Sequence, residues 1–393
     1  MALFFTSFYT TSAIGVTDSE AGSPRTKREK VVLEPLTEAI PATWAARKMQ
    51  MRFGMEFYSE DNYCTKLHAT IPFPKDWPEQ KVTVLDTELP NQASCDFREL
   101  NAGAIQGVIK IDSMPQNQQL DVIVTVEIEK AFIKAPEDPT VLVLPKKTLK
   151  DKNVAWYLGD SPMIETKSRQ VREIAIEIRE SHPSNAWAHV EVIYDWVRTN
   201  IEYRNGPIRS TKDALRDKYG DCEEMSGVFV AICRASNIPA RCVWIPEHCY
   251  PEFYLEDTNG FGHWYPAQVA GDRQFGQMNE YRPILQKGDR FKVPEQSGMQ
   301  RYVAETFTCK QRPLGTTQPR IVSIRDLGEL VPELEKLKAS TEPKTAEPIP
   351  PNAIPANAIP TSGSGSAGEL QLETVPAVED LSESTDQLQD VAP

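Results

Sequence analysis

The sequence predicts an α+β chain: an antiparallel β-sandwich-like domain, then a domain of helices followed by strands, then a disordered C-terminal tail. Three observations carry this prediction. Apolar residues alternate with polar ones in runs between residues 49 and 133, the period of half-buried strands. After Pro145 the period shifts to that of amphipathic helices. From Thr341 to Pro393 there is no aromatic residue and nine acidic side chains stand against Lys344 alone, a composition too poor in apolar area to offset the entropy of ordering the chain. The 393 residues therefore divide into a leader and linker (1–43), a β-sandwich-like domain (44–150), an α+β domain (151–312) and a Pro-rich acidic tail (313–393).

Met1 to Thr17 carries no charged side chain and includes Ala2-Leu-Phe-Phe5, like the apolar region of an export signal. An exported or periplasmic protein is the expectation; because basic residues before the apolar run are absent, a cytoplasmic leader is the alternative. Arg25, Lys27, Arg28 and Lys30 then form a solvated basic patch.

From Met49 the strands begin. Met49, Met51, Phe53, Met55 and Phe57 occupy alternate positions, Leu67, Ala69, Ile71 and Phe73 repeat the pattern, and so do Val82–Leu85, Ile105–Ile111 and Val122–Ile133. Turn-rich segments such as Pro74-Lys-Asp and Ser113-Met-Pro-Gln-Asn separate these runs, which is the layout of a small sandwich. His68 falls on the polar side of its strand, where a solvated role is expected.

Beyond Pro145, Val171, Ile174, Ala175 and Ile178 form one helical stripe, and Ala186, Val190, Ile193 and Val197 another. His182 lies in the turn between them and His189 on a helix face, both read as surface residues. Ser210 with Asp213 caps a short helix that leads to Gly220, read as a turn. Asp221 can cap the next helix, with Glu224 as the reciprocal partner of a capping box. That places Cys222 in the first helical turn. Met225, Val228, Phe229 and Ile232 continue the helix towards Asn237-Ile-Pro239. Ala240–Ile245 and His248–Leu255 read as strands; Asp257-Thr-Asn-Gly260 turns the chain, and His263–Val269 returns. Phe291–Val293 and Tyr302–Cys309 read as later strands of the same sheet.

The N–H groups and dipole of a helix N-terminus favour a thiolate at Cys222 and can bind a developing oxyanion. The seven cysteines contain no C-x-x-C pair, so the spacing of a zinc site or redox dithiol is missing. No metal or organic cofactor is implied. A net charge of −13 argues against nucleic acid or an anionic membrane surface as partner. No run of 18 apolar residues announces a transmembrane segment, and the sequence carries no signal of oligomeric state.

The run from Ala188 to Arg241 contains Val-Ile-Tyr-Asp-Trp-Val-Arg-Thr-Asn-Ile-Glu-Tyr-Arg (192–204), Gly220-Asp-Cys-Glu-Glu and Ala231-Ile-Cys-Arg-Ala-Ser-Asn-Ile-Pro-Ala-Arg241. It resembles the core of the transglutaminase-like superfamily, over about residues 160–310. The resemblance implies a papain-like arrangement with Cys222 as nucleophile, His248 as base on the following strand, and Glu252 at the acidic position four residues on. Counting from Trp264-Tyr-Pro266, Gln268 stands where the family has Asp. A Gln oxygen can orient an imidazole but brings no charge to it. His263 is the rival base, Asp272 and Asp257 the rival third members, and Tyr250 stands where the family has Trp. The backbone N–H of Cys222 is the expected oxyanion donor, with Tyr203 or Trp244 as side-chain candidates. The implied activity is attack on a protein or peptide amide bond through a Cys222 thioester, resolved by water (a peptidase) or by an amine (a transamidase). The alternative is a peptide-binding module whose triad has decayed, as Gln268 would indicate.

Overall fold

The alternating runs become long strands because each has one face to bury. In a computed structural model, which describes residues 33–59, 63–146, 151–181, 183–312, 317–321 and 324–325, β1 (Ala42–Ser59), β2 (Tyr63–Phe73), β3 (Gln80–Glu88), β4 (Ala93–Glu99), β5 (Ile105–Met114) and β6 (Gln118–Lys134) build the sandwich. One sheet contains β1, β6 and β3, the other β2, β5 and β4, all antiparallel. Met49, Met51, Phe53, Met55 and Phe57 of β1 meet Leu67, Ala69 and Ile71 of β2 and Val122, Val124 and Val126 of β6 in one core, as the period-2 reading requires. The strand β4 has no counterpart in that reading. It is an edge strand whose residues are half-buried or exposed, so its apolar signal is weak. Val84 and Leu85, read as part of a half-buried strand, lie on the other edge strand, β3, at 55% and 50% exposure.

The next segment runs through β7 (Leu142–Val143), α1 (Lys152–Ala155), α2 (Arg169–Glu180), α3 (Ala186–Asn200), β8 (Glu202–Tyr203), α4 (Thr211–Asp217), β9 (Tyr219–Gly220) and α5 (Cys222–Ala235). The helical stripes read from the sequence are the buried faces of α2, α3 and α5. His189 departs from its surface reading: it is 7% exposed, on the α3 face that packs inward, and burial with the charge of Arg179 lowers its pKa. His182 lies outside the described residues.

The antiparallel sheet that follows contains β10 (Ala240–Ile245), β11 (His248–Asp257), β12 (Gly262–Gln268), β13 (Gln274–Phe275) and β14 (Gln286–Lys287), in the order β13-β12-β11-β10-β14, with β7 on the far end of β11. Its two faces have different neighbours. Cys249, Phe253 and Leu255 of β11 join the helices. Tyr250 joins Val243, Ile245, Met278, Ile284 and, from the sandwich, Ile133. The sheet therefore lies between its helices and the β-sandwich. Buried charges cross the junction: Lys287 Nζ donates to Glu79 and to Glu252, each at 2.6 Å.

The C-terminal strands depart from their sequence assignment. Phe291–Lys292 (β15) pairs with Met299–Gln300 (β16) as a separate ribbon. Thr306–Arg312 (β17) joins the sandwich beside β2, not the sheet of the Cys222 domain. Thr317–Ile321 (β18) and Ile324–Arg325 (β19), placed by the sequence reading in the tail, pair with β1. Alternation marks a strand but not the edge it will occupy, and the free edges of β1 and β2 take these segments. The leader up to residue 32 and the tail from 326 lie outside the described residues.

Candidate functional site

The site starts from a local cap. Lys218, at φ 59°, closes α4 in the left-handed conformation, so Lys218 and not Gly220 makes the turn. Gly220 serves a different purpose: a Cβ there would lie 2.4 Å from Glu224 Cβ, and its absence lets Glu224 fold back. Glu224 Oε2 then accepts the Asp221 N–H at 2.9 Å while Asp221 Oδ1 accepts the Glu223 N–H at 2.8 Å, completing the predicted capping box. At the other end, Asn237 takes φ 64° and Ile238 N–H returns to Cys233 O at 2.9 Å, ending α5 where the sequence places it. Arg234 holds that end down by a buried ion pair with Asp289 at 2.8 Å, whose other oxygen accepts the Cys242 N–H of β10.

Cys222 is thereby fixed as the first residue of α5, against β11. Ser226 Oγ donates to Cys249 O at 3.2 Å, and the Cys249 backbone lies close enough to the Cys222 sulfur to favour its thiolate form. Behind the first turn, Arg301 Nη2 donates to Glu223 O at 2.6 Å. The thiolate expected from the helix dipole is not the resting form. Burial pushes the Cys222 thiol up to about 11, outweighing the Cys249 backbone, and the charges of Asp221 and Glu223 act in the same direction as burial. A helix N-terminus supplies only a fraction of a charge, and here it competes with desolvation and two carboxylates. Burial, then the Glu224 carboxyl, also push Asp221 up to about 6.

His248 opens β11, and its Nε2 lies 3.2 Å from Gln268 Oε1 at the end of β12. Gln268 is itself held: its Nε2 donates to Asp272 O at 3.3 Å, and its carbonyl accepts Tyr194 Oη–H at 2.8 Å and Arg198 Nη1–H at 3.3 Å from α3. Tyr194 and Arg198 belong to the Val-Ile-Tyr-Asp-Trp-Val-Arg run, which thus fastens the backbone at Gln268. The structure brings His248 and Gln268 together and sets Cys222 against the residue after His248, without a Cys222–His248 hydrogen bond among the described contacts. Burial and the nearby Arg282 guanidinium lower the His248 pKa, against the opposing effects of Gln268 and Glu280.

The other candidates have separate places. His263 pairs with Leu255, seven residues along β11 from His248, roughly 20 Å away at the rise of a strand. Asp257 is occupied by the N–H groups of Leu36 and Phe261; Asp272 meets Gln268 through its backbone carbonyl. Glu252 is 1% exposed and bound by Arg241 at 2.9 Å and Lys287 at 2.6 Å, so it is a partner of the domain junction rather than of the imidazole. Tyr250 is fully buried towards the sandwich and forms no open aromatic wall. Trp244 Nε1–H is committed to Gly288 O at 2.7 Å, whereas the Tyr203 hydroxyl makes no hydrogen bond among the described residues and its pKa is raised by burial and by the neighbouring Cys222. Glu280 and Arg282 were missed by sequence reasoning; they lie in a loop with no periodic signal, and only the fold carries them to His248.

No group of three or more His, Cys, Asp or Glu side chains with metal-binding geometry occurs among the described residues, and none of the described helices is long and apolar enough to cross a membrane. An open cleft of ≈ 620 Å³, lined by Trp156, Tyr157, Arg241 and Trp264 among others, lies towards the opposite end of the sheet and includes none of Cys222, His248 or Gln268.

Residues 172–269 match the transglutaminase-like superfamily. No curated protein matches the chain. Among solved structures, it is similar to a protein from Cytophaga hutchinsonii provisionally named a cysteine protease, at 14% identity and a TM-score of 0.46, over 72% of this chain and 93% of that one. It is also similar to a protein from Parabacteroides distasonis provisionally named a protease, at 11% identity and a TM-score of 0.24, over 57% of this chain and 47% of that one.

Proposed function

The chain carries a transglutaminase-like core, and from that premise we propose that it catalyses thiol-dependent acyl transfer on protein or peptide amide bonds, with hydrolysis as the preferred outcome. The observation that supports this reading is the capped N-terminus of α5, which presents Cys222 against the start of β11, where His248 is oriented by Gln268. Because burial keeps the thiol protonated and the imidazole neutral, the two groups suit general-base activation rather than a standing ion pair. As Sγ attacks the carbonyl carbon, its proton passes to His248 and the carbonyl electrons move to oxygen, facing the Cys222 N–H and, as a candidate side-chain donor, Tyr203. Collapse of this adduct breaks the C–N bond, the imidazolium returns the proton to the leaving amine, and a thioester remains. Water, activated by the same imidazole, completes hydrolysis; an amine in its place gives transamidation.

A second reading, a peptide-binding module that has lost turnover, is favoured by the uncharged Gln268 and the raised Cys222 pKa. The discriminating experiment is acylation of the full chain by p-nitrophenyl acetate, with each cysteine mapped by mass spectrometry. The catalytic reading expects Cys222 to be acetylated first and then to lose its acetyl group to water. Acetylation of Cys222 no faster than that of Cys95 and Cys309 would overturn the catalytic reading.

A further inference from the structure

The cleft remote from Cys222 lies between the sandwich and the sheet. On one side stand Glu99 at the end of β4 and Asn101 just after it; on the other stand Trp156 and Tyr157 after α1, Arg241 of β10 and Trp264 of β12. Its ≈ 620 Å³ is the size of a small-molecule site. The wall on the sandwich side is tied down. Asn101 Nδ2 donates to Arg290 O at 2.8 Å, its Oδ1 accepts the Lys292 N–H at 2.6 Å, and Leu100 packs in one cluster with Phe291 and Val293. A cleft held open in this way loses little conformational freedom on binding.

Three rings and a guanidinium set its chemistry. Tyr157 meets Trp264 edge to face at 5.5 Å, and the Arg241 guanidinium carbon lies 4.0 Å from the Trp264 ring centroid and 5.6 Å from that of Tyr157. Arg241 Nε and Nη2 both donate to Glu252 Oε2, so its Nη1 makes no hydrogen bond among the described residues. Two further donors on these walls are in the same state: Trp156 Nε1–H and Tyr157 Oη–H are buried without a partner. The carboxylates of the walls, in contrast, are engaged, Glu99 by Lys75 at 3.1 Å and Asp151 by the Asn153 N–H at 2.8 Å. Lys152 on the wall, and Arg290 stacked on Trp156 at 4.3 Å, have no ion-pair partner among the described residues. Aromatic faces, donors lacking acceptors and unpaired cations together call for an acceptor-rich anion with a flat apolar body. We infer that this cleft binds a carboxylate borne next to an aromatic ring: the carboxylate takes Arg241 Nη1, and the ring packs among Trp156, Tyr157 and Trp264.

The chain has seven tryptophans, so fluorine NMR of the full chain labelled with fluorotryptophan reads the cleft directly, with Trp156→Phe, Trp264→Phe and Trp187→Phe assigning two cleft signals and one from α3. N-acetylphenylalanine is expected to move the Trp156 and Trp264 signals saturably, with a Kd of about 0.1–1 mM for a ligand of this size, and to leave Trp187 unmoved. Its carboxamide, which keeps the ring and loses the charge, should bind at least about tenfold more weakly. Arg241→Lys keeps a cation for Glu252 but loses the planar fork, and should weaken the acid by a similar factor without affecting the amide. Equal binding of acid and amide, or no saturable shift of the two cleft signals, overturns the inference. Should Arg241→Lys fail to fold, the acid and amide on the unmutated chain carry the test alone. Cys222→Ala should bind as the unmutated chain does; loss of binding there would place the ligand at Cys222 and overturn the assignment to this cleft. Such a group can come from a free aromatic acid or from the end of a peptide. 3-Phenylpropionate and the tripeptide Ala-Ala-Phe distinguish these sources: tighter binding of one identifies it, and binding of neither overturns the inference.

Discussion

His248→Ala is the perturbation with the most informative magnitude, because the chain contains its own control. Burial pushes Cys222 up to about 11, and burial with the Asp96 charge pushes Cys95 up to about 11 as well; both thiols are partly accessible. At pH 7 such a thiol is only about 0.01% thiolate, so acidity alone predicts similar, slow reaction at the two sites. A positioned general base contributes about 10²–10⁴-fold. Cys222 should therefore be acetylated at least about 100-fold faster than Cys95 in the same tube, and His248→Ala should bring it down to the Cys95 rate. The pH dependence follows from the same environment. The His248 pKa is lowered below its ordinary 6.5, and the active form is the neutral imidazole, so the Cys222 rate should rise with pH through that lowered value and level off near neutrality. The Cys95 rate should instead climb about tenfold per pH unit, following its thiolate fraction. The assay is quenched mass spectrometry of p-nitrophenyl acetate labelling between pH 5 and 9. A Cys222 rate that parallels Cys95 across this range, or that is unchanged by His248→Ala, would refute general-base activation.

Gln268→Asp places a carboxylate on the imidazole, so the limb of the Cys222 acetylation profile should move to higher pH, while Gln268→Ala should slow acetylation by releasing the ring; unchanged profiles in both would remove Gln268 from the site. Lys287→Ala leaves Glu79 and Glu252 buried at the domain junction without their shared cation and should cost about 3–5 kcal/mol in chemical denaturation, with part recovered by adding Glu79→Gln. Truncation after Arg325 should leave the thermal midpoint unchanged, whereas truncation after Arg312 removes the strands paired along β1 and should lower it; equal midpoints would show that those pairings contribute nothing.

Sequence alone determined what depends on neighbours a few residues apart. The alternation of Met49 to Phe57 specifies a strand with one buried face, and Asp221 with Glu224 specifies a helix start that holds Cys222 in the first turn, because side-chain period and capping reach are local properties of the backbone. The spacing from Cys222 to His248 and Gln268 was legible only through a family resemblance, since nothing local says that β11 and β12 will bring an imidazole within 3.2 Å of an amide. Tertiary structure alone decided the rest. The dipole argument favours a thiolate at Cys222, but the charged form loses its hydration when the site closes, and that loss outweighs partial charges at a helix end. The junction takes Glu252 away from the imidazole to Arg241 and Lys287, while a loop without periodic signal carries Glu280 to within electrostatic reach of it. The sequence marks Tyr302–Cys309 as a strand without saying for which sheet, and places Thr317–Ile321 in the tail; that these segments pair, and along which edge, was decided by where β2 and β1 were left unpaired. Desolvation, edge pairing and the meeting of charges distant in sequence are sums over the whole packed molecule, and no window of sequence contains them.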